Sequence, residues 1–306
     1  MENITLKSVS GKPLRVYVWP VDHPKAVIQL VHGMAEHMGR YDRLARALNA
    51  AGYAVIGHDH LGHGPAAKKD ELGYFGPKDG WNCLIEDMKR VTDYAKGRFP
   101  GLPYALLGHS MGSFAAREYL IRYGGELDAA VLSGTGWHPA ALAVSARCMA
   151  ALCGAFSWTK PANFVNNMGF GSYNKAFMPA RTPFDWLSRD EKEVDKYVAD
   201  PLCGFVFTAR GFYDMFGSLK ALSDLSRLQS MPKDLPVYFL SGAMDPVGTQ
   251  GKGVETVARQ FRDAGMKNVT VKLYEGGRHE MFNEINRDEV TGELIEWLNA
   301  KTVNKE

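Results

Sequence analysis

Residues 104–112 read Tyr-Ala-Leu-Leu-Gly-His-Ser-Met-Gly, and they give the clearest indication of the fold. Residues 104–107 form an apolar run typical of a buried strand, and residues 108–112 fit the pattern G-x-S-x-G. The residues that follow have helical character up to position 123. Such a pattern between a strand and a helix predicts a sharp turn that presents Ser110 at the end of a sheet. The glycines at positions 108 and 112 relieve the crowding that side chains would cause there.

Short apolar runs alternate with helical segments on both sides of this turn. The predicted strands are residues 16–19, 26–31, 53–56, 104–107, 129–132, 237–240 and 269–274, the first of them being the second strand of an N-terminal hairpin. The predicted helices are residues 41–50, 81–97, 111–123 and 288–300. This alternation indicates an α/β fold, and we expect a mostly parallel sheet of eight strands with helices on both faces.

The alternation stops between residues 137 and 215, where aromatic residues and methionines accumulate. The helices of this stretch look short and broken by proline and glycine. We therefore predict a core of residues 1–136 and 216–306, with a mainly helical cap of residues 137–215 inserted between two strands. The residues expected to contact substrate are Gly33, His109, Trp137, Phe156, Phe170 and Phe177. A purely local core is the alternative interpretation of each aromatic residue in the cap.

Composition narrows the classes of function. The 306 residues are 45% hydrophobic and 23% charged, which is ordinary for a globular protein. The formal net charge is +2 and no basic run is interleaved with aromatic residues, so nucleic-acid binding has no support. Residues 1–5 lack the pattern of a signal peptide, no apolar run is long enough to span a bilayer, and the four cysteines form no C-x-x-C pair. We therefore expect reduced thiols and a cytoplasmic protein.

Ser110 needs a base, because a serine hydroxyl is a poor nucleophile until its proton is removed. Where the nucleophile lies on such a turn, the catalytic residues follow the chain order Ser, acid, His. Eight of the nine histidines lie at or before His138, so His279 remains as the candidate base. Asp245 follows a predicted strand and is the expected acid, which would fix the tautomer of the base. The alternative is that Asp245 only caps a turn before Pro246.

Two backbone N–H groups would hold the oxyanion that forms during acyl transfer. One belongs to the residue after the nucleophile, Met111, and the other to the loop after an early strand, where Met34 is the expected donor. The loss of one such donor typically costs roughly 2.7–4 kcal/mol of transition-state stabilisation.

Two other patterns resemble metal sites. Residues 57–64 contain three histidines and an aspartate, but this glycine-rich turn lacks the spacing that brings metal ligands together. Residues 279–283 resemble the zinc motif H-E-x-x-H, but the fifth position is Asn283. We therefore expect no metal and no cofactor.

Five motifs carry a resemblance to a known family. They are His-Gly-Met-Ala-Glu-His (32–37), Gly-His-Asp-His-Leu-Gly-His-Gly (57–64), the turn of residues 108–112, Asp-Pro-Leu (200–202) and Tyr-Glu-Gly (274–276). In this order they resemble monoglyceride lipases and bacterial lysophospholipases of the α/β-hydrolase superfamily, over nearly the whole chain. The resemblance implies a triad of Ser110, Asp245 and His279, with Met34 and Met111 as oxyanion donors. It also implies a cap that covers the active site and binds an acyl chain.

Residues and resemblance together lead us to expect a serine hydrolase that cleaves acyl esters through an acyl-enzyme. Monoacylglycerols, lysophospholipids and simpler carboxylic esters all fit. An amide or peptide hydrolase of the aminopeptidase type is one alternative, although Glu191 and Glu193 in the cap, the acidic candidates for holding a free amine, are typical of a solvated helix. A non-catalytic small-molecule-binding protein of the same fold is the other alternative.

A further hypothesis concerns membranes. The apolar side chains of the cap would rest on a lipid surface to collect substrate, and the alternative is that its aromatic residues all face inward. The acyl chain length and the oligomeric state stay open at the level of the sequence.

Overall fold

A computed structural model describes residues 1–303, and within them eight strands form one sheet. In chain order the strands are β1 (Glu2–Lys7), β2 (Pro13–Trp19), β3 (Ala26–Val31), β4 (Tyr53–His58), β5 (Tyr104–His109), β6 (Ala129–Ser133), β7 (Val237–Gly242) and β8 (Val269–Tyr274). Their order across the sheet is β1-β2-β4-β3-β5-β6-β7-β8. The β1–β2 and β2–β4 pairs are antiparallel and the other pairs are parallel. The predicted eight-stranded, mostly parallel sheet is confirmed.

The α-helices of the described residues are α1 (Asp42–Ala50), α2 (Gly80–Arg98), α3 (Met111–Tyr123), α4 (Ala140–Phe156), α5 (Asn163–Phe170), α6 (Glu191–Ala199), α7 (Ala209–Ala221), α8 (Leu225–Leu228), α9 (Lys252–Asp263) and α10 (Arg287–Leu298). The helix α9 was not predicted from the sequence. Its signal is the spacing of Val254, Val257 and Phe261, which are all fully buried and lie on one helical face.

Two hydrophobic cores lie on the two faces of the sheet, because successive residues of a strand point to opposite faces. In β3, Val27 and Val31 pack with residues of α2, α3 and α9, whereas Ile28 and Leu30 pack with residues of α1 and α10. All six residues of β3 are therefore buried, and the same holds for β4, β5 and β7. This explains why these strands read as continuous apolar runs.

The chain between β6 and β7 holds α4 to α8, and within residues 1–303 it adds no strand to the sheet. We use the term cap for residues 137–215, as predicted. The helix α4 is not short, since it runs for 17 residues and continues through Gly154. The predicted end of the cap falls inside α7, which packs against α4. Apolar packing along both helices thus overrides the local glycine signal.

Within residues 1–303, no helix combines the length and the apolar character that crossing a membrane requires.

Candidate active site

Ser110 lies on the sharp turn between β5 and α3. Its backbone has φ 53° and ψ −121°, a conformation that costs a non-glycine residue about 1–3 kcal/mol. The turn is held because the N–H of Ser110 donates to the carbonyl oxygen of Ser133 in β6 at 2.9 Å. A Cβ atom at Gly108 would lie 2.4 Å from the carbonyl oxygen of Gly112, so this side of the turn requires glycine. The geometry presents Ser110 at the carboxyl end of the parallel strands.

Asp245 and His279 lie on the loops that follow β7 and β8, at the same edge of the sheet. The Nδ1 of His279 is 3.0 Å from each carboxylate oxygen of Asp245, which is 0% exposed. Burial opposes protonation of His279, but the Asp245 carboxylate outweighs it, so the pKa of the imidazole is raised above its ordinary value. The Nδ1–H donates to Asp245, and Nε2 is left as the atom that can accept a proton.

Ser110 and His279 line the same cavity. Within residues 1–303 the Oγ of Ser110 makes no hydrogen bond. Contacts of this kind often tighten only when substrate is bound. The ring of His279 is further packed by His109, with the ring centroids 4.7 Å apart, and by Trp186 in the cap, at 5.0 Å. The serine and the aspartate–histidine pair therefore face one shared space.

The backbone N–H groups of Met34 and Met111 have no acceptor within the part of the chain that the structure describes, and both residues line the cavity. Met111 is the first residue of α3, where N–H groups have no partner inside the helix. The loop of Met34 is fixed by the next residue, because the N–H of Ala35 donates to the Nε2 of His63 at 3.3 Å. Both N–H groups are thus available to a negatively charged oxygen in the cavity.

A buried ion cluster beside the cavity was missed by the sequence analysis. Arg40 donates to Glu36 at 2.6 Å and, with two nitrogens, to both carboxylate oxygens of Glu280 at 2.7 Å. Burial opposes ionisation of Glu280, but the Arg40 guanidinium outweighs it and lowers the pKa of this carboxyl to about 2. Burial raises the pKa of Glu36, which the same guanidinium opposes. Both glutamates stand in the quoted motifs, but their pairing with Arg40 depends on the tertiary structure.

The histidines of the early motifs form a buried cluster of rings, His32, His58, His60 and His63. The N–H of His60 donates to the Nε2 of His32 at 3.0 Å. Burial lowers the pKa of His58 to about 3 and that of His63 to about 4, so these rings are neutral at physiological pH. They contact each other and the loop of Met34, and His63 also packs on the rings of Phe75, Phe205 and Phe207. These contacts indicate that the histidines support the site from outside it.

One group of side chains within residues 1–303 has the spacing to hold a metal ion, namely His37, Asp200 and Cys203. The Nδ1 of His37 accepts the N–H of Gly39 at 3.2 Å, so Nε2 carries the proton and donates to Asp200 at 2.9 Å. A protonated ring nitrogen has no lone pair for a metal. His37 and Asp200 therefore form a hydrogen bond between the loop after β3 and the cap.

The cavity has a volume of about 450 Å³ and is lined mostly by apolar side chains. Helices α3, α4, α5 and α7 contribute Phe114, Leu142, Val165, Phe170, Met215 and Leu219. His138 also lines the cavity, and burial lowers the pKa of its imidazole to about 4, so that it is neutral. A largely apolar cavity of this size with a few polar groups is typical of a small-molecule site.

Three of the six residues expected to contact substrate line this cavity, namely Gly33, His109 and Phe170. The other three do not line the cavity, so the expectation that they contact substrate is corrected. Phe156 ends α4 with its side chain 94% exposed. Trp137 packs against the hydrophobic core, and the ring of Phe177 is covered by the guanidinium of Arg278, 4.3 Å from the ring centroid.

Comparisons with known proteins give relatives that match most of this chain. A family model described as serine aminopeptidase, S33 matches residues 22–286. The sequence is 31% identical to the monoacylglycerol lipase of Mycolicibacterium smegmatis, over 95% of this chain and 94% of that protein. It is 30% identical to the monoglyceride lipase of Homo sapiens, over 97% of this chain and 90% of the human protein.

Solved structures are also similar. The structure of a thermostable carboxyl esterase from Bacillus coagulans, in complex with glycerol, matches with a TM-score of 0.91 and 28% identity over 99% of both chains. The structure of a soluble variant of monoglyceride lipase from Saccharomyces cerevisiae matches with a TM-score of 0.75 over 99% of this chain and 96% of the yeast chain. At 21% identity, the second match supports the shared fold alone.

Proposed function

Because the chain belongs to the family described as serine aminopeptidase, S33, and is homologous to monoglyceride lipases, we propose that it hydrolyses acyl esters with Ser110 as the nucleophile. The observation that carries the proposal is the pair of 3.0 Å contacts between His279 and Asp245, on a cavity that Ser110 shares. No cofactor is needed for this chemistry, because the base, the nucleophile and the oxyanion donors all belong to the chain.

The proposed reaction has two steps. The Oγ of Ser110 attacks the ester carbonyl while the Nε2 of His279 takes its proton, and the N–H groups of Met34 and Met111 hold the oxyanion. The alcohol leaves with the proton from His279, and an acyl-enzyme remains. A water molecule, activated by the same histidine, then releases the acid and restores the serine. Asp245 stabilises the imidazolium in both steps.

Monoacylglycerols are the substrates that we propose first. The relatives named above are monoacylglycerol lipases, and the largely apolar cavity suits an acyl chain. Lysophospholipids and simpler carboxylic esters are the other candidates, and a panel of these lipids with the purified protein separates them.

The aminopeptidase alternative has less support. An enzyme that holds a free amine needs a carboxylate oxygen that is free to accept from it. Both oxygens of the cavity carboxylates Glu36 and Glu280 already accept hydrogen bonds, from Arg40 and from neighbouring groups. Glu191 and Glu193 belong to α6 and do not line the cavity. Glu191 lies near Arg181, and Glu193 forms an ion pair with Lys196. These contacts favour an ester substrate.

The test is hydrolysis of p-nitrophenyl butyrate and of a monoacylglycerol, compared with an aminoacyl-naphthylamide. We expect the wild type to cleave both esters in preference to the amide, and Ser110→Ala to lose ester hydrolysis and labelling by a fluorophosphonate. Ser145→Ala is the matched control, because Ser145 is exposed on α4 and bonds only its own helix. Full ester hydrolysis by Ser110→Ala, or a preference for the amide, would overturn the proposal.

We further propose that the cap touches lipid surfaces. Its exposed apolar side chains include Leu142, Leu152, Phe156, Phe164, Met168 and Met178. The alternative that all cap aromatics face inward is therefore corrected. The proposal is tested by co-sedimentation with phosphatidylcholine vesicles, where the wild type is expected to bind and the double variant Phe156→Ser, Phe164→Ser to bind less. Equal recovery of both proteins in the supernatant would count against it.

We also propose that the protein is cytoplasmic. It is supported by the four cysteines, which are all free thiols. Cell fractionation with a cytoplasmic marker enzyme tests it.

A further inference from the structure

Two segments that are far apart in the chain meet at His279. The first is the base loop, residues 275–285, which follows β8 and carries His279. The second is the cap segment, residues 185–190, which lies before α6. The proposed mechanism uses the cap only to enclose an acyl chain, so the contacts between these two segments are not explained by it.

Backbone hydrogen bonds join the base loop to the cap segment on both sides of the base. The N–H of His279 donates to the carbonyl oxygen of Trp186 at 3.4 Å, and the N–H of Glu280 donates to that of Leu187 at 2.7 Å. The guanidinium of Arg278 donates to the carbonyl oxygens of Asp185 and of Ser188, the latter at 3.1 Å. Three consecutive residues of the base loop, 278 to 280, are thus held by cap backbone.

A buried carboxylate adds a charged link between the same segments. Glu284 is 0% exposed, and its Oε1 accepts the N–H of Arg278 at 3.0 Å and the N–H of Arg189 at 3.1 Å. Its Oε2 accepts the Nε–H of Arg189 at 3.0 Å and the N–H of Ile285 at 2.9 Å. Each oxygen of this carboxylate therefore accepts two hydrogen bonds, and the four donors belong to Arg189, Arg278 and Ile285. Hydrogen bonds to a charged group are among the strong ones.

The ring of Trp186 completes the junction. Its centroid lies 5.0 Å from that of His279, while His109 packs on the same imidazole at 4.7 Å. The imidazole is thus packed by one residue of the cap and one residue of the core. Movement of the cap segment away from the sheet would remove part of this packing and the bonds that fix the loop.

We propose that the cap segment, through Arg189 and the buried Glu284, positions the catalytic base, an inference that rests on the proposed function. Arg189 and Glu284 are positioning residues, since they act on His279 through the backbone of residues 278–280. The cap is then required for the chemical step with every ester, whatever the length of its acyl chain. A cap that only bound acyl chains would be dispensable for an acetyl ester.

The test compares Arg189→Met with Arg189→Lys and with the matched control Arg181→Met. Arg181 lies in the same cap and ion-pairs with Asp195, away from the base loop. Hydrolysis of p-nitrophenyl acetate and p-nitrophenyl octanoate is measured, and end-point labelling by a fluorophosphonate counts the folded active sites. Thermal melts of each variant monitor the fold.

We expect Arg189→Met to lower kcat per labelled site by about 10- to 100-fold, since a small misplacement of a catalytic group has effects of this size. The factor should be the same for acetate and octanoate, with KM unchanged. Arg189→Lys should recover part of the loss, because an ammonium can still donate to Glu284. The acid limb of the pH profile should not move, because the Asp245 carboxylate, which raises the pKa of His279, is untouched.

Loss confined to the octanoate ester, or carried by KM alone, would overturn the proposal in favour of a cap that only binds acyl chains. An equal loss in Arg181→Met would overturn it in favour of a general weakening of the cap. If Arg189→Met fails to fold, Arg189→Lys and Glu284→Gln carry the test on the same readouts, and unchanged kcat in both would overturn it. Failure of the proposed function is recognised separately, as activity in Ser110→Ala.

Discussion

The protonation state of one ring, the imidazole of His279, depends on the carboxylate that lies against its Nδ1, that of Asp245. Both oxygens of Asp245 lie 3.0 Å from Nδ1, and Asp245 also accepts the N–H of Val247 at 2.9 Å and the hydroxyl of Ser241 at 3.1 Å. These bonds hold the carboxylate in place, so it can both orient the ring and stabilise its protonated form. The neutral ring is the form that the proposed mechanism uses as base, and the fraction of neutral ring falls as the pH drops through the raised pKa of His279.

The first prediction is the effect of Asp245→Asn on rate and on pH dependence. The amide keeps the shape but removes the negative charge, so we expect kcat to fall by about 10⁴-fold. The pKa of His279 should fall, because the carboxylate that raises it is gone. The acid limb of kcat/KM for p-nitrophenyl butyrate should therefore move to lower pH. Asp234→Asn, at an exposed surface pair with Lys267, is the control, and an unmoved acid limb in Asp245→Asn would contradict the assignment.

The element that carries Ser110, the turn between β5 and α3, also fixes the neighbouring strand. A Cβ atom at Gly112 would lie 2.2 Å from the carbonyl oxygen of Val31 and 2.5 Å from that of His32. The first turn of α3 therefore packs directly on the backbone at the end of β3, just before the loop of Met34. Close approach of two backbones sets the distance between the two proposed oxyanion donors.

The second prediction is that Gly112→Ala lowers both stability and activity. The added methyl group must push α3 away from β3, and such overpacking costs about 1–3 kcal/mol. Urea unfolding and ester hydrolysis measure the two losses. The control is Gly97→Ala in α2, where a Cβ atom would meet nothing within 4 Å. That substitution should stabilise the helix by about 0.5–1 kcal/mol, and a Gly112→Ala protein as stable as the wild type would show that the packing is looser than described.

The whole molecule buries many histidines in a neutral state. Burial lowers the pKa of six of them, His32, His58, His60, His63, His109 and His138. The unfolded chain takes up protons at these rings near the ordinary value of 6.5, whereas the folded protein resists protonation until about 3 or 4 at His58 and His63. Below pH 6.5 the unfolded state therefore binds more protons than the folded state. The contribution of these rings to the free energy of unfolding is fully present above their ordinary pKa and falls as the pH drops below it.

The third prediction follows from this linkage. The free energy of unfolding in urea should drop as pH falls below 6.5, by up to about 1.4 kcal/mol per pH unit for each such ring. His58→Leu should reduce that slope by one proton, because both ring nitrogens of His58 are buried without a partner among the described residues. Gly97→Ala, at an exposed position without an ionisable side chain, is the control and should leave the slope unchanged. A wild-type stability that stays constant through this window would contradict the prediction.

The sheet and the candidate catalytic residues could be predicted from the sequence alone. Strands buried on both faces read as apolar runs, and a fixed chain order leaves His279 as the candidate base for Ser110. These signals are local or depend only on order along the chain, so a single sequence is enough to find them. The helix α9 was within reach of the same reasoning, since its apolar spacing is regular.

The lining of the cavity and the contacts that hold the loop of His279 could be seen only in the tertiary structure. Phe156 and Phe170 are both aromatic residues near the ends of cap helices, yet the first faces solvent and the second faces the cavity. Glu284 and Arg189 are ordinary charged residues in sequence, and they lie 95 positions apart in the chain but pair in the folded protein. The physical reason is that side-chain direction in irregular segments, and pairing between distant ones, is fixed by packing against the rest of the fold.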